Sequence, residues 1–296
     1  MQHDRRRPSV VLLASVLTAF SLVLSGSAWA QTPETKEYKP IIGQEGKDVI
    51  WVPTPQALVE RMLEMAKTTP KDYVVDLGSG DGRTVITAAK KYGVRALGIE
   101  YNADMVELSK RNAEKEGVAD RAQFVNGDIF QTDFSKATVL TLYLLPNLNL
   151  KLRPTILAMK PGTRVVSHAF SMGEWQPDDI QKVEGRTAYL WIVPAQVEGV
   201  WRMGSHNYEL LLQQHFQEVE GLARANNRMA QFRNARLQGD HISFSVIEFS
   251  GMGNVQRDFT GQVHGEVMEG VVKRSDAAGE EKWTAKRVAT GDPMRH

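Results

Sequence analysis

The spacing of hydrophobic positions divides the chain into an α/β part and a β-rich part. From residue 49 to about 170, short β-branched runs alternate with segments whose apolar residues recur every three or four positions. This alternation predicts parallel strands separated by helices. After residue 172 the helical period fades, and short alternating stretches are separated by glycine and Asp or Asn turns. They predict an antiparallel meander or small barrel of about six to eight strands.

The N-terminal 30 residues have the pattern of a cleavable secretory signal. Arginines at 5–7 precede an apolar run over 10–24, and Ala28 and Ala30 form a small-residue cleavage pattern. The apolar run is shorter than the ~20 residues that a membrane-spanning helix needs. We therefore expect cleavage after Ala30, no stable membrane span afterwards, and a periplasmic or secreted protein. Residues 31–47 are polar and aperiodic, which predicts a flexible lead-in.

A glycine-rich turn follows the first strand of the α/β part. Residues 73–77 form a β-branched run, residues 78–82 contain three glycines, and a helical pattern resumes at 84–91. Glycines at such a turn let the backbone bend sharply and let a ligand approach closely. Further upstream, Thr54 and Pro55 have the pattern of a helix N-cap followed by proline at the first helical position. They predict a helix of about 12 residues.

Acidic residues at the ends of three successive strands indicate what the glycine turn binds. Asp76 precedes glycines spaced G-x-G-x-G, whereas the dinucleotide fingerprint is G-x-G-x-x-G. A carboxylate would repel a pyrophosphate but attract the ammonium of S-adenosylmethionine (SAM). Glu100 ends the next strand, where it can accept both ribose hydroxyls, and Asp128 ends the third, where it can accept the adenine amino group. The three acids together predict a SAM site, although the glycine turn alone is equally consistent with plain turn chemistry.

Several segments resemble a known family. The first three motifs of class I SAM-dependent methyltransferases are matched by residues 74–82, 98–102 and 126–130. Residues 52–55, 145–146 and 159–167 look like the ATP-synthase c-subunit lysine methyltransferases and, more distantly, the non-SET histone-lysine methyltransferases. The resemblance covers about 49–170 and implies that Thr54 lies near the amino acid moiety of SAM. It implies that the cofactor is held by Asp76, Gly78, Gly80, Glu100 and Asp128, to which we add Ser79 and Gly82 of the same turn.

Residues 138–143 are predicted to form the fourth strand. In class I folds the loop that follows this strand faces the methyl group of SAM. Methyl transfer mainly requires desolvation and alignment of a deprotonated nucleophile, so no strong base is obligatory. We expect Tyr143, Leu144 and Pro146 to line an apolar channel, which lowers the pKa of a lysine acceptor. We expect Asn147 to orient the amine of that lysine by hydrogen bonding. The alternative is that the tyrosine only packs and the proline only forms a turn. His168 after the fifth strand is either a proton acceptor or, as lone strand-end histidines more often are, structural.

Composition and charge bear on which partners, metals and disulfides we expect. The 36 basic residues are matched by 35 acidic ones, and a net charge of +1 argues against a nucleic-acid partner. The seven histidines lack the paired spacing of a metal set, so we expect no metal. The chain has no cysteine, which suits an exported protein without disulfides and a cytosolic protein equally.

These patterns predict a Rossmann-like class I methyltransferase domain over 48–180 and an antiparallel β-rich domain over 181–296. The expected activity is SAM-dependent methyl transfer, with a protein lysine as the favoured acceptor. Two alternatives stay open, namely a small-molecule methyltransferase and a non-catalytic exported binding protein that retains the fold. The β-rich domain is either a substrate- or partner-binding module or a stabilising appendage. Export would separate the enzyme from the cytosolic source of SAM.

Overall fold

The computed structural model of the chain describes residues 38–204, 208–225, 228–250 and 253–293. The predicted signal peptide and residues 31–37 of the lead-in lie outside the described residues. Everything described below belongs to one unit of the chain, which begins at Tyr38.

The first part of the chain alternates helices and strands. Its elements are α1 (Gln56–Met65), β1 (Tyr73–Leu77), α2 (Arg83–Tyr92), β2 (Arg95–Glu100), α3 (Ala103–Lys115), β3 (Ala122–Asn126), β4 (Val139–Leu142), α4 (Pro146–Leu157), β5 (Arg164–His168), β6 (Asp179–Val183) and β7 (Arg186–Ile192). The seven strands form one sheet in the order β3-β2-β1-β4-β5-β7-β6. Strands β1 to β5 are parallel, and β7 and β6 are added antiparallel.

Both faces of this sheet are covered, which explains its nearly continuous apolar strands. One face packs against α1, α2 and α3 through residues such as Leu58, Val74 and Val85. The other face packs against α4 through residues such as Leu140 and Ile156. All four residues of β4 are buried. The predicted α/β fold is confirmed, with α1 shorter than the expected helix, at 10 residues.

The predicted domain boundary at residues 180 and 181 falls inside β6. Strand β7 pairs with β5 from Arg164↔Ile192 to His168↔Ala188, and β6 pairs with β7. Ala188 and Leu190 of β7 are buried in the core beneath α1, so this hairpin completes the first sheet. The chain therefore changes sheets between the end of β7 and the start of the next strand, and not at residue 180.

The second part of the chain is a nine-stranded antiparallel sheet, which slightly exceeds the expected number of strands. Its strands are β8 (Gly199–Met203), β9 (Glu209–His215), β10 (Glu218–Ala225), β11 (Arg228–Gln231), β12 (Arg233–Gln238), β13 (His241–Ser250), β14 (Gly253–His264), β15 (Val267–Arg274) and β16 (Glu280–Ala289). They are ordered β11-β10-β9-β8-β16-β15-β14-β13-β12. The two edge strands, β11 and β12, are consecutive in the chain and are separated only by Phe232, so the sheet is nearly closed.

Large side chains fill the interior of this sheet. Phe244 stacks on Phe232 and Phe259, with ring centroids 4.1 and 4.8 Å apart. Trp283 lies against Gly261, where an added Cβ would stand 2.7 Å from the indole, and Gly261 pairs with Gly270 on β15. This close approach accounts for the glycines that recur in the β-rich stretches.

The two sheets are joined by specific contacts. The Ala195 N–H donates to the Gly239 carbonyl at 2.7 Å. Phe216, just after β9, stacks on Trp175 with ring centroids 6.1 Å apart and lies 5.3 Å from the guanidinium carbon of Arg153. Over the described ranges, no helix has the length and apolar character needed to cross a membrane.

Candidate active site

A cavity of about 690 Å³ opens at the carboxyl edge of the first sheet, a size typical of small-molecule sites. Most of its wall comes from residues 44–54 upstream of α1, the glycine turn, and the loops that follow β2, β3 and β4. We call residues 38–55 the strap. Ligands of open parallel sheets bind at this edge, where neighbouring strand ends converge.

The strand order places the three acids in a row. Asp76, Glu100 and Asp128 stand at or near the ends of β1, β2 and β3, which are neighbours in the sheet, and all three line the cavity. Strands lie about 4.8 Å apart, so the row extends about 10 Å. Tyr143 follows β4, on the other side of β1. A ligand that crosses the strand ends would meet Asp128 first and Tyr143 last.

Asp76 is a buried acid, only 7% exposed. Burial raises its pKa to about 7, against the opposing effect of hydrogen bonds from the Thr141 and Thr84 hydroxyls. The Thr141 hydroxyl donates to Oδ1 at 2.6 Å. A buried carboxyl with so high a pKa ionises readily once a cation is bound beside it. Asp76 therefore suits the ammonium group that we expected it to hold.

Glu100 is tied to the glycine turn through backbone donors. The Gly80 N–H donates to Oε2 at 2.9 Å, and the Asn102 N–H donates to Oε1 at 3.0 Å. The two bonds hold the carboxylate beside the cavity with lone pairs still available, as recognition of ribose hydroxyls requires. Asn102 also caps α3, since its side chain accepts from the N–H groups of residues 104 and 105.

Asp128 stands two residues beyond β3 and already has a charged partner. Lys47 of the strap places Nζ 2.7 Å from Oδ2, and the Phe130 N–H donates to Oδ1 at 2.9 Å. The same lysine lies over the ring of Tyr101, 4.7 Å from its centroid. An ion pair with the strap therefore lies at the predicted adenine end of the cavity.

Three glycines of the turn have positive φ, but they differ in what they contact. Gly80 (φ 55°) lies under the Trp51 indole, where an added Cβ would be 2.7 Å from Nε1. Gly78 (φ 78°) lies beside Leu144. Gly82 (φ 82°) precedes α2 and packs on Phe124, away from the cavity lining. Gly82 is therefore required for packing and for the turn, and its predicted contact with the cofactor is not supported.

Ser79 lines the cavity, although its hydroxyl faces elsewhere. An added Cβ on Gly98 of β2 would be 2.5 Å from Oγ of Ser79, so the side chain points toward the sheet. Oγ is buried with no hydrogen-bond partner among the described atoms. Any contribution of Ser79 to ligand binding therefore comes from its backbone.

The part of the lead-in that the structure describes, residues 38–47, adopts a defined conformation beside the cavity. The Gly43 N–H donates to the Trp51 carbonyl and the Trp51 N–H donates to the Gln44 carbonyl, which folds the strap into a small hairpin. Residues 44–47, assigned to the lead-in, line the cavity. Trp51 and Lys47 were missed because no hydrophobic period or motif marks an irregular strap.

Thr54 lies in the cavity wall as expected, but it is not an N-cap. Helix α1 begins after Pro55 with no side-chain cap, and Oγ1 of Thr54 lies 3.1 Å from Nδ1 of His168 on β5. The Thr54 carbonyl accepts from Arg83, whose guanidinium pairs with Asp81 of the glycine turn. The end of the strap is thereby fixed to both the turn and β5.

Of the four residues predicted for the acceptor side, the structure places Tyr143 and Leu144 in the cavity wall. Pro146 is the first residue of α4, and Asn147 is exposed on its first turn. Because α4 starts at the proline, its first turn directs both side chains away from the cavity lining. The predicted roles of Pro146 as a channel residue and Asn147 as an amine ligand are therefore not supported.

Asn149, which the sequence pattern did not reveal, is fully buried two residues later on α4. Its amide donates to the carbonyls of Phe170 and Ser171, each at 3.3 Å, and so supports the loop after β5. Phe170 lines the cavity and stacks near Tyr143, with centroids 6.2 Å apart. An asparagine inside a helical pattern has no local signal for such a role, because only the fold brings β5 beside α4.

The residues present fit SAM. A buried acid, a carboxylate at the ribose position and a third carboxylate lie in sequence along the cavity, with Leu142 and Met105 among its apolar lining. Among the residues that the structure describes, no group of three or more His, Asp and Glu side chains is placed to hold a metal ion.

The sequence is similar to known methyltransferases. The family model described as the ANTKMT methyltransferase domain matches residues 76–179. A protein-lysine N-methyltransferase of Saccharolobus islandicus is 47% identical over 151 residues, which cover 49% of this chain and 94% of that protein. The human lysine N-methyltransferase of the ATP-synthase c-subunit is 33% identical over 131 residues, 44% of this chain and 55% of that protein. The chain thus spans little more than half of the human protein.

A solved structure is also similar in sequence. The crystal structure of an RNA methyltransferase from Salinibacter ruber, in complex with S-adenosyl-L-homocysteine, is 51% identical and covers 49% of this chain and 96% of that chain, with a TM-score of 0.49. The Saccharolobus protein is matched over nearly its whole length. The chain therefore belongs to the family of SAM-dependent methyltransferases that includes the ANTKMT methyltransferase domain.

Proposed function

We propose that the protein methylates the side-chain amine of a lysine in a protein acceptor. The observation that carries this proposal is the chemistry of the cavity wall on the β4 side of Asp76, opposite Glu100 and Asp128. That end is lined by Leu142, Tyr143, Leu144, Leu145, Leu148 and Phe170, a set without an acid or a base. A channel of this kind accepts a long aliphatic side chain and disfavours the charged form of the amine at its tip.

The uncharged amine is the reactive species. Bound SAM supplies a methyl group on a positively charged sulfur. Attack of the amine on the methyl carbon would form a C–N bond and break the C–S bond, so that S-adenosylhomocysteine would leave. The new ammonium would lose its proton to solvent on release from the channel. The aromatic faces of Tyr143 and Phe170 favour the positive charge that persists throughout. The apolar walls exclude water and align the amine with the methyl carbon.

The names of the relatives support the same acceptor. The Saccharolobus relative is named for protein lysine, and the human relative is named for a lysine of the ATP-synthase c-subunit. The nearly balanced charge of this chain argues against a broad basic surface for nucleic acid. Methylation of RNA, named for the Salinibacter protein, and methylation of small molecules are the competing outcomes of the test.

The test uses the full-length protein with SAM carrying a labelled methyl group. Envelope proteins, total RNA and a small-molecule extract, each from cells that lack the gene, are the separate acceptors. Label in protein that mass spectrometry assigns to lysine supports the proposal. Label only in RNA or only in small molecules contradicts it, and SAM binding without transfer to any fraction favours a non-catalytic binding protein. Tyr143→Ala is the matched variant and is expected to lose transfer while retaining SAM binding.

We further propose that the protein is exported and acts in the periplasm or outside the cell. The N-terminal pattern of arginines, apolar run and Ala28-x-Ala30 supports this location. A fusion of alkaline phosphatase to the C-terminus reports export, because the reporter is active only outside the cytosol. An inactive fusion with the N-terminus intact by mass spectrometry would place the protein in the cytosol, where SAM is available.

A further inference from the structure

His168 is the buried group nearest the acceptor side that the proposed reaction does not use. It is 3% exposed at the end of β5 and is not part of the cavity lining. Its ring stacks on that of Tyr143, with centroids 3.8 Å apart and planes inclined by 26°. Because Tyr143 lines the cavity and His168 does not, the imidazole supports the tyrosine from the protein side.

The same imidazole is hydrogen-bonded to the strap. Nδ1 of His168 lies 3.1 Å from Oγ1 of Thr54, which is 8% exposed. The Thr54 carbonyl accepts from Arg83 at 2.9 Å, and Arg83 is paired with Asp81 of the glycine turn. A continuous set of contacts therefore connects the glycine turn, the strap, β5 and Tyr143 in the loop after β4.

The backbone beside His168 is strained in a way that fits this role. Ala169 has φ 64°, a left-handed conformation that residues other than glycine rarely adopt. This turn lets both His168 and Phe170 face Tyr143. Burial and, secondarily, the charge of Arg186 lower the pKa of His168 to about 4, so the ring is neutral at neutral pH. A neutral ring adds no positive charge beside a site that must hold a sulfonium and a methylated ammonium.

We propose that His168 and Thr54 are positioning residues for methyl transfer: the imidazole holds the Tyr143 ring by stacking, and its bond to the Thr54 hydroxyl fixes the strap in the same arrangement. Neither residue exchanges a proton with the acceptor. Their contribution is to keep the wall of the acceptor channel in one geometry, because small displacements of reacting groups reduce rates strongly. The proposal rests on the proposed function in that Tyr143 is taken to border the acceptor amine.

The decisive kinetic experiment compares two variants of Thr54, one variant of His168 and one control variant, all in the full-length protein. Thr54→Val removes the hydroxyl at equal size, and Thr54→Ser keeps it. His168→Phe keeps a stacked ring without Nδ1. We expect Thr54→Val and His168→Phe to lower kcat by about tenfold, with the KM of the acceptor and the Kd of SAM changed by less than about twofold. Thr54→Ser recovers most of the loss. His215→Phe, an exposed histidine on β9, is the matched control.

A second readout does not depend on knowing the acceptor. In SAM-saturated protein with labelled tyrosine, the NMR resonance of Tyr143 is assigned by its absence in Tyr143→Phe. We expect this resonance to shift and broaden in Thr54→Val and His168→Ala, and to stay unchanged in His215→Phe. An inactive wild-type protein contradicts the proposed function but leaves this measurement intact.

Two results overturn the positioning proposal. The first is an unchanged kcat together with an unchanged Tyr143 resonance in folded Thr54→Val. The second is a loss of kcat that parallels the loss of thermal stability and is not recovered by Thr54→Ser. If His168→Phe does not fold, the two Thr54 variants decide the question alone.

Discussion

Nζ of Lys47 lies 2.7 Å from Oδ2 of Asp128, so a lysine of the strap pairs with the carboxylate that we expect to accept the adenine amino group. Their mutual hydrogen bond raises the pKa of Lys47 and lowers that of Asp128. The lysine side chain is 36% exposed and the aspartate side chain 14%, and ion pairs that solvent reaches contribute little to stability. The pair is therefore weak enough to exchange with a ligand.

Replacing Lys47 by methionine should strengthen SAM binding. The change keeps the aliphatic stem near Tyr101 but removes both a competitor for Asp128 and a positive charge that repels the sulfonium. We expect the Kd measured by isothermal titration to fall by about two- to fivefold, the equivalent of one exposed ion pair. Lys110→Met removes a comparable exposed pair with Glu107 on α3 and should leave the Kd unchanged. Weaker binding in Lys47→Met would instead mean that the lysine orients Asp128 for adenine.

SAM binding should weaken as the pH falls below 7. Asp76 attracts the SAM ammonium only when ionised, and burial raises its pKa to about 7 in the ligand-free protein. The ionised fraction falls tenfold per unit well below the pKa, so the Kd is expected to rise toward about tenfold per unit. Titrations at a series of pH values measure this slope. Asp76→Asn should bind SAM weakly with a flat profile, and a flat wild-type profile would contradict the assignment of Asp76.

The same pKa predicts the pH dependence of stability without ligand. The folded protein holds the Asp76 proton more tightly than the unfolded chain, where aspartate has its ordinary pKa of 3.8. The stability contributed by this proton is therefore present at low pH and is lost as the pH rises toward 7.

Thr141→Val removes the hydroxyl that favours the ionised form of Asp76, so the midpoint of the pH dependence of SAM binding should move to higher pH. Calorimetric titration with SAM at a series of pH values measures this midpoint, and thermal unfolding at the same pH values measures the stability of the ligand-free protein.

Alanine at Gly80 should be more damaging than alanine at Gly117. Both glycines have positive φ, 55° and 68°, so each substitution costs about 1–2 kcal/mol. Only at Gly80 would the new Cβ collide, 2.7 Å from Nε1 of Trp51, whereas nothing lies within 4 Å at Gly117. We expect a further ~1–3 kcal/mol loss of stability and weaker SAM binding for Gly80→Ala alone. Equal losses in denaturant unfolding would show that the strap does not pack on the turn.

Phe216→Ala should loosen the contact between the two sheets without changing the cofactor site. The ring is half-buried against Trp175 and Arg153, so its removal is expected to cost about 1–3 kcal/mol. The free energy of unfolding measures this loss, and the Kd of SAM should stay within about twofold. Val288→Ala, at an exposed position on β16, is the control. A large change in SAM affinity would show instead that the second sheet supports the cofactor site.

The elements around the site were largely predictable, and the reason is local. Strand β1 was predicted with its observed bounds and β2 with its observed end at Glu100, because buried parallel strands form continuous apolar runs. Asp76, Glu100, Asp128 and Tyr143 were all expected at the carboxyl edge, and the structure brings them to one cavity. Asn147 was expected there too, but the start of α4 at Pro146 turns it outward.

The sequence by itself determined the α/β part, its glycine turn and the row of acids, because these depend on residues close together in the chain. Only the tertiary structure decided which residues complete the site. Lys47 meets Asp128 across 81 positions, and Thr54 meets His168 across 114. Such contacts depend on the order β3-β2-β1-β4-β5 and on the path of the strap over the glycine turn. No hydrophobic period encodes either, because both arise when separate elements pack together.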